Sequence, residues 1–378
     1  MPKSFFRRFT KGFFVSVNVG ITVLFILSCY VKYFNPIYFW PLGYLSIASF
    51  YLLGLLVIFL FFWLVIKPKL IIISILGLIS CYQQIGNIIP YRLSSTFTKE
   101  KSKDALRVMN WNLSSFDLIN YSKTGDKKVF DKMIELINEY NPDIACFQEV
   151  ALGDSSISVV HHVNGIADSV GMRHFFYSYN PKEDWYLNLH YGVIIYSKYP
   201  IINKQTKINY PNTYNSVYQY VDILKGKDTI RVFNFHLESL KFNPKMYAYF
   251  DKKISEQAKE VETSKGILAK MKHGFIRRYH QVNYIQKDLA TTTLPVIVCG
   301  DFNDVPNSYA YATLGENLQN AFVEKGSGIG RTFSGISPTL RIDNIFVDKR
   351  FVVNQFKRDK RKLSDHYPIF TDITLKKE

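Results

Sequence analysis

The sequence predicts an α/β sandwich carried behind an N-terminal transmembrane helical region, and two observations lead there. Apolar runs dominate the first ninety residues, whereas from about position 105 short strand-like runs interleave with amphipathic stretches and end in polar residues. Charge follows the same division. The chain has 378 residues and a formal charge of +16, with 11 basic residues against one acidic up to Lys103 and 36 against 30 beyond it. Most of the excess therefore flanks the apolar segments, where Lys and Arg set topology or meet anionic lipid. The modest remainder on the domain still permits nucleic acid.

Residues 1–90 read as a membrane anchor with about three transmembrane helices, near 13–31, 38–66 and 70–85. A span needs about 20 apolar residues. The first two runs meet that length, with Asn18 the one strongly polar member of the first, and the third is the shortest and contains Gln83 and Gln84. More apolar runs follow the first one in place of a small-residue cleavage site, which argues against a cleaved signal peptide. Lys3, Arg7, Arg8 and Lys11 precede the first span, Lys32 stands alone in the first loop, and Lys67 and Lys69 mark the second. This pattern puts the N-terminus in the cytoplasm, and three spans deliver the C-terminal domain to the opposite, periplasmic side of an inner membrane. If the third run is only interfacial, the domain stays cytoplasmic. Residues 91–104 form a polar linker. Cys29, Cys81, Cys146 and Cys299 all lie in apolar runs and read as free buried thiols.

Beyond the linker, Leu106 to Trp111 leads into Asn112, and Ile144 to Phe147 leads into Gln148 and Glu149. Val193 to Tyr196 follows Gly192, Ile230 to Phe235 meets His236, and Val296 to Cys299 meets Gly300-Asp301. Ile342 to Val347 contains Asp343. Phe130, Met133, Ile134 and Ile137 share one helical face over 129–140, and Asn141-Pro142 ends that helix. Residues 241–293 read as two helices, the second containing Phe275 to Leu289, with a helical insert near 241–275.

Phosphoester hydrolysis needs a divalent cation, an activated water and donors for phosphoryl charge. Mg²⁺ prefers oxygen ligands and keeps several waters, so one or two carboxylates plus an amide suffice. Asn112 and Glu149, each at a strand end, offer such a set. Asp301 and Asn303 sit two residues apart after a buried strand, so their side chains can address one phosphate and its attacking water. Ser364-Asp365-His366 places a histidine beside a carboxylate, a candidate acid or charge stabiliser. Asp343 is a second carboxylate that could fix the tautomer of His366. Asp304-Val305-Pro306-Asn307-Ser308 reads as the turn and cap of a following helix.

In this order the segments resemble the endonuclease/exonuclease/phosphatase superfamily, which includes pancreatic-type deoxyribonuclease, abasic-site endonucleases, neutral sphingomyelinases and inositol polyphosphate phosphatases. The resemblance covers residues 105–378 apart from the insert and implies a four-layer α-β-β-α sandwich. It implies metal ligation by Asn112, Glu149 and Asp365, with Mg²⁺ or Mn²⁺ as cofactor. Asp301 matches the acid that orients or deprotonates the water, and Asn303 the amide that positions the phosphate. His236 matches a phosphate-contacting histidine, and His366 a second one held by Asp343. Arg278 with Gln281 repeats a family pairing. The whole plan is similar to membrane-anchored bacterial members, frequent in Bacteroidetes, which also carry the run Gly326 to Phe333. That run reads as an edge loop of the site, since no strand-to-helix signature frames it.

Ser114 stands where abasic-site endonucleases carry Asp or Asn, which moves the expectation away from DNA repair. Tyr191 and His190 read as strand-edge residues, and His161, His162, His174, His273 and His280 have no motif context. The expected function is a membrane-anchored, metal-dependent phosphoesterase acting on a lipid headgroup, nucleic acid or inositol phosphate. A nuclease and a non-catalytic membrane scaffold are the competing readings, and no obligate protein partner is expected.

Overall fold

Alternation of side chains along the strands decides the layering of the domain. The computed structural model describes residues 3–92, 97–117, 124–153, 167–182, 189–208, 214–257 and 260–376. His161, His162 and linker positions 93–96 lie outside them. Twelve strands are described: β1 (Leu106–Asn112), β2 (Ile144–Gly153), β3 (His174–Tyr179), β4 (Leu189–Ser197), β5 (Ile201–Ile208) and β6 (Val217–Lys225), then β7 (Asp228–His236), β8 (Val296–Asp301), β9 (Leu318–Asn320), β10 (Asp343–Asp348), β11 (Phe351–Arg358) and β12 (Ile369–Leu375). They form two six-stranded sheets, ordered β11-β12-β1-β2-β4-β3 and β5-β6-β7-β8-β10-β9. In each sheet the central pair is parallel, β1 with β2 and β7 with β8, and every other pair is antiparallel.

Strands β1 and β8 are buried along their whole length because both faces are covered. Leu106, Val108, Ile144 and Cys146 of one sheet meet Val232, Ile297, Cys299 and Ile345 of the other. The alternate residues Met109, Trp111, Ala145 and Phe147 point outward, onto a helix at Lys128–Tyr140. That helix buries Met133, Leu136, Ile137 and Tyr140, the spacing of one helical face, and stops at Asn141 in a left-handed conformation (φ +47°). On the other outer face Phe233, Phe235, Val298 and Phe346 pack against Val282 and Ile285 of a helix at Val261–Thr291. The result is the four-layer α-β-β-α sandwich that the sequence predicts. Residues 241–293, which read as two helices, hold two short ones, Pro244–Phe250 and Ile254–Gln257, and one long one, Val261–Thr291.

The N-terminal helices are α1 (Lys3–Cys29), α2 (Pro41–Ile66), α3 (Ile71–Ser80) and α4 (Tyr82–Ile88). Two are long and apolar enough to cross a membrane, Arg7–Cys29 within α1 and Pro41–Ile66. The third run is broken, bent by 71° between Pro68–Ser80 and Tyr82–Ile88. Asn18 is fully buried and bonds Ser74 Oγ (3.1 Å) and Trp63 Nε1 (3.0 Å), so the polar residue of the first span ties α1 to α2 and α3. Lys67 lies beside Lys11 and Arg7 at one end of this bundle.

The other end docks on the sandwich. Gly43 leaves room for Phe275, whose ring would lie 2.5 Å from a Cβ there, and Tyr44 Oη donates to Leu268 O (2.7 Å). Asn87 Nδ2 donates to Asn307 Oδ1 (2.9 Å). Arg341, almost fully buried, turns its guanidinium to the carbonyls of Asn87 and Ile88 that end α4.

Between the sheets the aliphatic core gives way at one end to a buried polar layer. Gln148 Nε2 donates to Asn110 Oδ1 and Asn234 Oδ1, both at 2.7 Å. Asn110 Nδ2 donates to Gly300 O (3.1 Å), and Asn234 Nδ2 to Phe147 O (3.0 Å) and Ile194 O (2.8 Å). The three side chains are fully buried and bridge both sheets. Each stranded partner in such a layer costs about 1–3 kcal/mol. Asn234→Leu should therefore lower the unfolding free energy by at least about 2 kcal/mol in urea titration, since it strands Gln148 and two carbonyls. A loss below about 0.5 kcal/mol, the size of an ordinary surface substitution, would deny the layer its role.

Candidate active site

Two residues beyond the polar layer, the same strand faces deliver the ionisable groups. Leu106, Val108, Asn110 and Asn112 lie on one face of β1, so the strand that contributes Val108 to the inter-sheet core ends with Asn112 above it. By the same alternation β7 brings Val232, Asn234 and His236, β8 brings Ile297, Cys299 and Asp301, and β10 brings Val347, Ile345 and Asp343. Strand β2 breaks the rule. Gln148 faces the core, so Glu149 should point outward, but a bulge between Phe147 and Val150 interrupts pairing with β4. Glu149 takes φ +52° in that bulge, and its carboxylate turns to Asn112.

The groups converge on a few ångströms. Asn112 Nδ2 donates to Glu149 Oε1 (3.2 Å) and Asp301 Oδ2 (3.1 Å). His236 Nε2 lies 3.6 Å from Glu149 Oε1 and 3.5 Å from Asp301 Oδ2, and makes no hydrogen bond although buried. His366 Nδ1 bonds Asp343 Oδ2 at 2.9 Å, and its Nε2 is 3.7 Å from Asp301 Oδ2. Asn303 has φ +48°, its backbone N–H donates to Asp301 Oδ1 (2.8 Å), and its side chain donates to Leu237 O (2.9 Å). Asp365 is exposed at the rim and accepts from Ser364 Oγ (3.1 Å).

Burial and crowding set the protonation states. Burial raises the Glu149 carboxyl, and burial together with Asp343 raises Asp301 to about 6. Burial alone would discharge His366, but Asp343 and Asp301 outweigh it and push the imidazole up to about 10. His236 goes the other way, lowered chiefly by burial. The site thus offers a carboxylate poised near neutrality, a protonated imidazole and a neutral one.

All eight residues expected from the sequence surround this region, and Glu149, Asp301, Asn303, Asp365 and His366 line one pocket. Asp301, Asp343 and His366 also hold ligand atoms within 4.8 Å of one another, as a hydrogen-bonded His–Asp pair beside a second carboxylate does by itself. The residues fit a hard divalent cation on chemical grounds. The half-buried Glu149 and the buried Asp301 carboxylates meet across the Asn112 amide and His236 Nε2, and His236 Nε2 and Asp343 Oδ1 are buried without hydrogen-bond partners.

Other expectations resolve into structural roles. Arg278 donates from Nε to Asp304 Oδ2 (3.1 Å) and from Nη1 to Glu238 O (2.9 Å), while Gln281 accepts from Glu238 N (2.8 Å). This pair secures the backbone just after His236, and Asp304 is its buried counter-ion. No helix follows the Gly326 to Phe333 run directly; the run edges the pocket, with the Phe333 ring 5.0 Å from that of His366. Tyr191 accepts from Ser115 Oγ (2.9 Å), and its hydroxyl is pushed up by burial, with the Glu149 charge adding to it. Tyr247, which no motif marks, lines the pocket, and burial, then Asp365 and Glu149, raise its hydroxyl.

Residues 109–366 match the model of the Endonuclease/Exonuclease/phosphatase family, and residues 11–88 match a domain of unknown function. No curated protein matches the chain. Among solved structures, the human nocturnin catalytic domain with bound sulfate is similar at 17% identity and TM-score 0.51, covering 76% of this chain and 99% of that one. An endonuclease/exonuclease/phosphatase from Beutenbergia cavernae is similar at 18% identity and TM-score 0.52, covering 72% of each chain. A mannosyl-6-phosphatase from Bacteroides thetaiotaomicron gives 16% identity and TM-score 0.48, covering 71% of this chain and all of the other. At these identities the likeness is one of fold, but the family match spans well over half of the chain. With its two sheets and the polar groups at their ends, the chain belongs to the endonuclease/exonuclease/phosphatase family, whose members are usually metal-dependent phosphoester hydrolases.

Proposed function

We propose that the protein is a membrane-anchored phosphoesterase that uses Mg²⁺ or Mn²⁺ to hydrolyse a phosphodiester or phosphomonoester by in-line attack of water. One observation carries this reading: Glu149, Asp301 and His366 line one pocket, with the unpartnered His236 Nε2 3.5 Å from Asp301 and Asp343 bonded to His366 behind them. Asn112, Glu149 and Asp365 are the residues that would hold the cation. When bound, such an ion stabilises charge on the phosphoryl oxygens.

Asp301, raised to about 6, is ionised at neutral pH and basic enough to orient and deprotonate water. His366 keeps its proton and faces the same carboxylate, so it can neutralise a phosphoryl oxygen, and Asp343 fixes its tautomer through Nδ1. His236 Nε2 is free to meet another phosphoryl oxygen. Asn303 spends one amide N–H on Leu237 O and retains a second for the phosphate. Placement of the domain on the side opposite the Lys11/Lys67 end is supported by Ser74 bonding Asn18 while α4 ends on Arg341. With the basic end cytoplasmic, the chemistry occurs on the far side of the membrane.

Asp301→Ala and His366→Ala should each lower kcat by about a hundredfold or more at unchanged circular dichroism. Wild-type turnover in either would sink the assignment. Mn²⁺ should raise the melting temperature of the wild type but not of Glu149→Ala, and equal shifts in both would place the cation elsewhere. The kcat/KM profile should rise through about pH 6 as Asp301 ionises and fall near pH 10 as His366 loses its proton. Asp343 raises both groups, so Asp343→Asn should move both limbs to lower pH. An alkaline limb that stays in place would show that Asp343 does not hold the His366 proton.

A further inference from the structure

The sandwich does not build the pocket alone. Ile47 of α2 lines it with Leu240, Phe242, Tyr247, Ile336 and Leu340, together with Glu149, Asp301 and His366. Helix α2 is one of the two able to cross a membrane. From Ile47 to its end at Ile66 it rises about 30 Å at about 1.5 Å per residue, the full thickness of a hydrocarbon core. Ile47 therefore stands at the edge of the bilayer. One turn deeper, Tyr51 Oη lies 3.1 Å from Ser337 Oγ, so the loop carrying Ile336 leans on the spanning helix.

Ile336 has φ +58°, a conformation in which a β-branched side chain is strained, and it is still 39% exposed. Burial does not account for isoleucine there, and strain of this kind gathers at functional positions. Tyr247, at 43% exposed, sits beside the same pocket. An apolar strip thus continues from a membrane-crossing helix to the carboxylates. The pocket offers about 180 Å³, little more than the roughly 150 Å³ cavity that holds one benzene. That is room for a phosphate and a few linking atoms, and a long chain attached to it must remain outside, along the strip.

Resting on the phosphoesterase reading, we propose that the substrate is a bilayer-resident lipid phosphoester. Its hydrocarbon lies against Ile47, Tyr51 and Ile336, and its phosphate enters beside Asp301 and His366. Water oxygen bonds to phosphorus as the bond to the leaving oxygen breaks. Asp301 takes a proton from the water, the leaving oxygen gains one, and the net reaction consumes one water.

The test uses the full chain in nanodiscs with Mn²⁺. Its probes are mixed lipid (phosphatidic acid, phosphatidylethanolamine, phosphatidylglycerol and sphingomyelin) against bis(p-nitrophenyl) phosphate, p-nitrophenyl phosphate and single-stranded DNA in solution. The wild type should cleave a bilayer lipid. In Ile47→Asp and Ile336→Asn the ratio of lipid to soluble-ester kcat/KM should fall at least tenfold. Asn tolerates the left-handed conformation, so Ile336→Asn keeps the test valid if Ile47→Asp fails to fold. Cleavage of soluble probes without any bilayer lipid, or a ratio within twofold of wild type in Ile336→Asn, overturns the lipid assignment and leaves the phosphoesterase reading standing. Failure to cleave any probe overturns both.

Discussion

The buried amide layer of Asn110, Gln148 and Asn234 is the constraint on which the rest depends. Aliphatic side chains hold two sheets together without fixing how one slides over the other, because dispersion and burial are non-directional. Hydrogen bonds from Gln148 to both Asn110 and Asn234 admit one alignment only. The catalytic candidates sit one step further along the same strands, so registration of the amides registers Asn112, His236 and Asp301 as well. Gly300 belongs to this device. Its amide neighbourhood is so close that a Cβ would fall 2.6 Å from Phe235 O, and the next residue is Asp301.

This dependence explains which parts of the site were legible in the sequence. Strand-end positions pointed to Asp301 and weakly to Asn112, and the family resemblance added His236; two-residue alternation carries all three side chains to the same face. The reach of Glu149 into the site was not legible from alternation, since a bulge reverses its direction and bulges have no dependable spacing signal. The residues Asn110, Gln148 and Asn234 were visible only as parts of motifs. Their bonding partners are distant in the chain, so a linear reading cannot tell a bridging amide from a catalytic one.

The insert and the anchor show the same limit on a larger scale. The Val261–Thr291 helix runs through Gly266 and Gly274, each costing about 1 kcal/mol of helix propensity. Packing overrides that cost. A Cβ at Gly274 would lie 2.8 Å from Leu240, and the next residue, Phe275, fills the space left by Gly43 of α2. The buried Arg341 belongs to the same contact, joining the Ile342-Asp343 segment to the last turn of α4. The N-terminal apolar helices are therefore a wall of the domain, which composition alone does not reveal.

Strand order has a consequence for biogenesis. Sheet one is closed by β11 and β12, and β12 pairs with β1, more than 250 positions earlier in the chain. His366, which completes the charge arrangement, lies just before β12. Synthesis proceeds from the N-terminus, so the apolar helices are complete long before β1 acquires its second neighbour. Until then β1 is paired on one side only, by β2, and the charge arrangement is incomplete. The arrangement of candidate catalytic groups is therefore complete only once nearly the whole domain has been made.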